Sequence, residues 1–202
     1  MQPSQSASYA LQRRPLVAAL TQSRPGQQDP VVVAGLGSAA WDITAAGDRD
    51  LNFPLWGAMG GAVSVGLGLA IAQPSRRVLV VTGDGEMLMG LTALTTIAAM
   101  APENLAVLVL DNETYGETGG QRTNTARGAD LAAMAAAAGI AQAWTITKSA
   151  EAAAAVEKLR GGTGPLFCVA KVRFEEVPLV LPPKDGVVLR ERLRRALGVA
   201  GD

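Results

Sequence analysis

The chain has 202 residues, 49% of them hydrophobic but only 4% aromatic, so a single domain with a core of Ala, Val, Leu and Gly is expected. Eighteen Lys and Arg balance eighteen Asp and Glu, which excludes the basic surplus of a nucleic-acid binder and the charged arm of a protein held on anionic membranes. Small molecules or other proteins are the expected partners.

No charged region, apolar core and cleavage site open the chain, and the apolar runs "GAMGGAVSVGLGLAIA" and "LAAMAAAAGIA" are too short to span a bilayer. A soluble, cytoplasmic protein is expected. The single Cys168, inside the strand-like "PLFCVAKV", excludes an internal disulfide and reads as a small core residue.

In chain order, a helical pattern around Leu11 to Leu20 leads into "VVVAGLG", a buried strand that ends near Gly35. Ser38 to Trp56 reads as irregular and polar. Gly60 to Ala72 follows as a small-residue helix stopped by Gln73 and Pro74, then a strand over Arg77 to Thr82. Met87, Leu91, Leu94 and Ala98 recur at helical spacing, Pro102 marks the stop, and Leu105 to Leu110 is the next strand. After the loop 111–127 come a helix over 129–138, a strand near 142–146, a helix over 149–160 and a strand over 165–171. "PPKDGVVLRERLRRALG" closes the pattern with a proline turn and an amphipathic basic helix. Alternating strands and helices predict one α/β domain of three layers, a mostly parallel sheet with helices on both faces. The expected division is an N-terminal helix and lead-in over 1–30, the α/β domain over 31–173 and a C-terminal extension over 174–202. The first few and the last three residues read as loose.

"RVLVVTGDGEMLMG" poses the functional question, because an apolar strand ends in Asp84 held between Gly83 and Gly85. "NLAVLVLDNETYGETGGQ" repeats the plan with Asp111 and Asn112. Strand ends of a parallel sheet share one carboxyl edge, where open α/β folds bind ligands, and a single crossover separates these two. Neighbouring strands lie roughly 4.8 Å apart, so two oxygens can share one cation. Asp and Asn are hard ligands suited to magnesium or calcium, with phosphate oxygens completing the shell. Gly83 and Gly85 let a phosphate approach the backbone at the start of the following helix. Against this stands an ordinary alternative: Asp-Gly and Asp-Asn are also common turn and cap material.

Gly-Asp-Gly, twenty-six residues and then Asn112 resembles the cofactor motif of thiamine diphosphate enzymes. "PLWGAMGGAVSVGLGLA" is similar to the segment of their diphosphate-binding domain that touches the aminopyrimidine ring. "DNETYGETGGQRTNT" and the "LPPKDGVVLRERLRRALG" tail resemble sulfopyruvate and phosphonopyruvate decarboxylases. The resemblance, over roughly residues 31 to 198, implies the thiamine diphosphate-binding fold and a 2-oxo acid decarboxylase that needs thiamine diphosphate and Mg2+. It implies that the side chains of Asp84 and Asn112 and the Thr114 carbonyl bind the metal. Gly85 and Glu86 would offer backbone N–H groups to the diphosphate, with the Glu86 carboxylate turned away. Gly37, Ser38, Gly83, Tyr115 and Gly116 would line the cofactor pocket. The Gly57 carbonyl would accept from the cofactor's 4'-amino group beside Ala58, and Met59 would wedge under the thiazolium ring. Glu117 and Thr118 are the candidates for approaching substrate. Read without the resemblance, Glu86 is a favourable acid in a helix's first turn, Met59 is core filler and Glu117 is a solvated loop acid.

The resemblance further implies a separate pyrimidine-domain (α) subunit that supplies the activating glutamate, and therefore a hetero-oligomer. The chain has no histidine, so any histidine used in proton transfer would also come from the partner. Two other classes stand beside this reading. Gly35, Gly37 and Ala40 have the spacing of a nicotinamide dinucleotide fingerprint, opposed by the lack of an expected crossover helix and second strand over 41–56. A noncatalytic cofactor-binding scaffold is the other. Within the thiamine class, another lyase or a 2-oxo acid oxidoreductase half is the alternative.

Overall fold

The computed structural model describes residues 9–199, so the looseness expected at both ends lies outside the described residues. Six strands form one all-parallel sheet: β1 (Val31–Ala34), β2 (Asn52–Pro54), β3 (Val78–Gly83), β4 (Leu105–Asp111), β7 (Gln142–Ile146) and β8 (Leu166–Lys171). Their order is β2-β1-β3-β4-β8-β7. A two-stranded hairpin, β5 (Thr114–Tyr115) and β6 (Gln121–Arg122), stands apart from the sheet.

The strands are runs of valine and leucine because both faces are covered. Successive side chains point to opposite faces and feed two separate cores. Val32, Ala34, Leu79, Val81, Leu108 and Cys168 pack against α1 (Arg13–Thr21), α2 (Ser38–Ala45) and α7 (Ser149–Gly161). Val31, Val33, Val80, Val107, Phe167 and Val169 pack against the other group of helices: α3 (Ala62–Ala72), α5 (Ala93–Met100), α6 (Leu131–Ala137) and α8 (Gly186–Ala196). Small residues let α3 lie close to the sheet, since a side chain at Gly66 would collide with Val80.

Two expectations need correction. The stretch 38–56 is not irregular: α2 and β2 form a complete β-α-β crossover, with Val32, Val33 and Ala34 pairing to Asn52, Phe53 and Pro54. Its short elements hide among Asp, Gly and Pro, and a three-residue edge strand has no room to show alternation. The helix read through Met87 to Ala98 is two helices, α4 (Asp84–Met89) and α5, divided at Gly90. A Cβ there would come within 2.7 Å of the Gly60 carbonyl oxygen, so the break is where α4 meets the start of α3.

This crossover creates a switch point. The chain leaves β1 through α2 toward β2 on one side, and leaves β3 through α4 and α5 toward β4 on the other. A crevice must open between β1 and β3 at the carboxyl edge. α2 is anchored beside it by Asp42, fully buried between Arg13 Nη1 at 2.6 Å and Arg14 Nε at 3.0 Å. Leu11 forms a parallel bridge to Val172, and α1 adds Leu16, Val17 and Leu20 to the core. Past Val172 the chain runs without regular structure to α8, tied by Trp56 Nε1 donating to the Pro183 carbonyl and Arg14 to that of Pro178.

Candidate functional site

A cleft occupies that crevice. The turn after β1 contributes Leu36, Gly37 and Ser38, the junction of β3 and α4 contributes Gly83 to Glu86, and the segment after β4 contributes Asn112 and Thr114 to Thr118. Met59, Arg13, Ala39, Leu110 and Val172 complete the lining. Gly83 pairs with Leu110 in the β3–β4 register, so Asp84 stands beside Asp111 and one residue short of Asn112. Gly57 and Ala58 are exposed and do not line the cleft, their segment being held by the Trp56 bond to Pro183.

Asp84 is 2% exposed, and both hydroxyls that reach it, Thr123 at 2.6 Å and Thr125 at 3.1 Å, bond Oδ2. Neither takes Oδ1. Burial first, and the neighbouring Asp111 carboxylate second, push the Asp84 carboxyl up to about 7. A cation would relieve both effects. Asn112 Oδ1 accepts the Thr114 N–H at 2.9 Å, which orients the amide and leaves its oxygen a second lone pair. A carboxylate and an amide oxygen fit a hard cation such as magnesium, whose remaining ligands come from phosphate and water. Gly83 fits the neighbouring phosphate, because a Cβ there would meet nothing within 4 Å.

Gly85 has a different reason to be glycine. A Cβ there would strike the Tyr115 ring, so the missing side chain makes room for an aromatic wall and not for an approaching phosphate. Glu86 is turned away from the cleft opening: its Oε2 accepts the Leu36 N–H at 3.0 Å and the Thr82 hydroxyl at 2.9 Å. Its Oε1 has no hydrogen-bond partner among the described residues. Burial raises the Glu86 carboxyl above its ordinary range against the lowering effect of those donors. Glu117 and Thr118 lie in a 3-10 turn on the cleft wall, and partial burial raises the Glu117 carboxyl.

The carboxylate of Glu86 fills the space under Gly35 that a Cβ would need. The crossover helix and second strand whose lack opposed the dinucleotide reading of Gly35, Gly37 and Ala40 do exist, so that objection does not hold. What opposes the reading is the placing of the acids downstream: Asp48 and Asp50 precede β2, at the edge opposite the turn, and Asp48 is bound by Arg192 at 2.7 Å.

Four groups escaped the sequence reading: Arg13 on the cleft wall, and Thr123, Thr125 and Lys171 behind it. Lys171 Nζ pairs with Asp111 Oδ2 at 2.7 Å and Glu113 Oε1 at 3.1 Å. Glu113 is 3% exposed, has a left-handed φ of 61° and accepts the Tyr9 hydroxyl at 2.7 Å. Two threonines at alternate positions in "RTNT" were the one visible sign of this cluster.

Residues 37–170 match the family described as thiamine pyrophosphate enzyme, C-terminal TPP binding domain. Phosphonopyruvate decarboxylase of Streptomyces viridochromogenes is 48% identical over 112 residues, 55% of this chain and 28% of that protein. Sulfopyruvate decarboxylase subunit beta of Methanocaldococcus jannaschii is 38% identical over 110 residues, 54% of this chain and 58% of that one. The chain thus spans well under two thirds of either relative. In fold it is similar to benzoylformate decarboxylase from Polynucleobacter necessarius, with a TM-score of 0.66, 17% identity, and 89% of this chain and 36% of that one covered.

Proposed function

Since the chain belongs to the thiamine pyrophosphate enzymes, as their C-terminal TPP binding domain, we propose that it is the diphosphate-binding subunit of a magnesium-dependent 2-oxo acid decarboxylase of the sulfopyruvate and phosphonopyruvate type. The observation that carries this reading is the pair Asp84 and Asn112 on adjacent strand ends, opening into one cleft at the switch point of the sheet.

Asp84, Asn112 and the Thr114 carbonyl would hold the magnesium. The backbone N–H groups of Gly85 and Glu86 would meet the diphosphate beside the bare Gly83, with Gly37 and Ser38 as the opposite wall and the Glu86 carboxylate turned away. Met59 would support the thiazolium ring, Tyr115 and Gly116 would close the far side, and the Gly57 carbonyl, beside Ala58 on the exposed segment outside the cleft, would receive the 4'-amino group. When bound, thiamine diphosphate would supply the electron sink that takes up the bonding pair as carbon dioxide leaves a 2-oxo acid. The chain's own contribution is positioning: it fixes the cation, excludes water from Asp84 and presents Glu117 and Thr118 toward the substrate.

The activating glutamate and any histidine for proton transfer come from a separate pyrimidine-domain subunit. Support comes from relatives in three methanogens that are themselves named as β subunits. No helix among the described residues is long and apolar enough to cross a membrane. A cytoplasmic location is part of the proposal.

Calorimetric titration of thiamine diphosphate with Mg2+ tests the reading, on the chain alone and with its co-expressed genomic neighbour. Binding that requires Mg2+ and disappears in Asp84→Ala and Asn112→Ala supports it. Tighter binding and decarboxylation of sulfopyruvate or phosphonopyruvate with the neighbour support the divided enzyme. Binding in neither preparation refutes the site.

A further inference from the structure

The main-chain ladder between β3 and β4 ends at the pair Gly83 and Leu110. Asp84 and Asp111 follow that pair directly and Asn112 comes one residue later, so no β3–β4 main-chain pairing joins them and their side chains need another restraint. A magnesium ion demands near-octahedral oxygens at roughly 2.1 Å, so a few tenths of an ångström between the two strand ends decide whether both can bind it.

The segment returning from the hairpin fills this gap. Thr125 Oγ1 lies 2.8 Å from Asp111 Oδ1 and 3.1 Å from Asp84 Oδ2, so this hydroxyl sits between the two strand ends, with the shorter bond going to Asp111. Thr123 Oγ1 lies 2.6 Å from the same Asp84 oxygen and 2.9 Å from Thr125 Oγ1. Each hydroxyl has one proton to give, enough for one bond to each carboxylate. Beyond Asp111 the chain of contacts continues to Lys171, whose ammonium holds Oδ2, while Oδ1 also accepts the Glu113 N–H at 3.1 Å. Thr123 is fully buried and Thr125 is 5% exposed, so water does not compete for these bonds. The segment is itself anchored, the Thr123 N–H donating to the Glu113 carbonyl at 3.0 Å.

We propose that Thr125, seconded by Thr123, is the positioning residue of the cation site. Thr125 gives its proton to Asp111 Oδ1 and Thr123 gives its own to Asp84 Oδ2, so the pair, carried on one segment, fixes the lateral distance between Asp84 and the Asp111–Asn112 strand end and leaves Asp84 Oδ1 as the oxygen given to the metal. This rests on the cofactor reading above. Hydrogen-bond partners behind metal ligands are typically worth about 10- to 100-fold in affinity.

The test is Mn2+ uptake, followed by electron paramagnetic resonance in the presence of thiamine diphosphate, for the full chain and for Thr125→Val, Thr125→Ala and Thr125→Ser. Valine keeps the shape and removes the hydroxyl. The expected result is an apparent Kd raised ~10-fold or more in the Val and Ala variants, with Ser within about threefold of the parent. If Thr125→Val does not fold, Thr125→Ala is read by the same standard. A folded variant without the hydroxyl that binds Mn2+ as the parent does overturns the proposal, even if its thermal midpoint has fallen. A parent that takes up no Mn2+ with thiamine diphosphate, either alone or with its co-expressed neighbour, overturns the cofactor reading, and this assignment with it.

Discussion

Replacing Asp84 by Asn should stabilise the metal-free protein while abolishing its metal binding. The carboxyl is 2% exposed and lies beside Asp111, so ionising it in the fold is opposed by lost hydration and by like charge. It is held near 7, against 3.8 for an exposed aspartate. The folded chain therefore binds this proton more tightly than the unfolded chain, and stability falls as pH rises from about 4 to about 7. At pH 8, where the group is ionised, it costs the fold about 4 kcal/mol, and at pH 5, where the fold must take up a proton that the unfolded chain does not hold, about 2 kcal/mol. Asn has no charge to bury, and its amide still meets the threonine hydroxyls. In the presence of a chelator, Asp84→Asn should melt about 10 °C above the parent at pH 8, with the gain roughly halved at pH 5. With Mg2+ and thiamine diphosphate the order should reverse, because only the parent gains from binding. Thermal melts followed by circular dichroism at the two pH values provide the assay. An equal gain at both pH values, or a loss at pH 8, would refute the argument that Asp84 is a desolvated carboxylate waiting for a cation.

Gly85→Ala should displace the Tyr115 ring into the cleft, costing about 1 kcal/mol of stability in urea titration but weakening thiamine diphosphate binding at least tenfold by calorimetry. Glu86→Ala leaves the Leu36 N–H and the Thr82 hydroxyl without their acceptor and should lower stability by about 3 kcal/mol in the same titration, with Glu86→Gln costing less. Cys168 is fully buried, and burial pushes its thiol up to about 12, so it should resist Ellman's reagent in the native protein at pH 8 and react fully in denaturant.

Glu86 is where local chemistry and tertiary context diverge most. An acid in the first turn of a helix is favourable by itself, and that alone accounts for its place in the sequence. In the fold its carboxylate passes under the β1 turn, takes the room of a side chain at Gly35 and ties Leu36 to the end of β3. One residue thus shapes the cleft wall and joins the β1 turn to the end of β3.

The alternation of valine-rich runs with helical periods was enough to determine a parallel α/β sheet, because strands buried on both faces must be apolar throughout. It also placed Asp84 and Asn112 on one edge, since parallel strands joined by single crossovers end on the same side. The three-residue β2 was not legible, and with it the switch point between β1 and β3 that opens the cleft. The break at Gly90 was hidden as well, because periodicity continues across a backbone contact made to a distant glycine. The roles of Gly85, Thr123, Thr125 and Lys171 lie in contacts with residues 14 to 60 positions away, which no local pattern encodes. Sequence by itself determined which oxygens reach the edge. Tertiary structure alone decided how far apart they stand, because beyond the last strand pair their separation is held by side chains folded back from elsewhere in the chain.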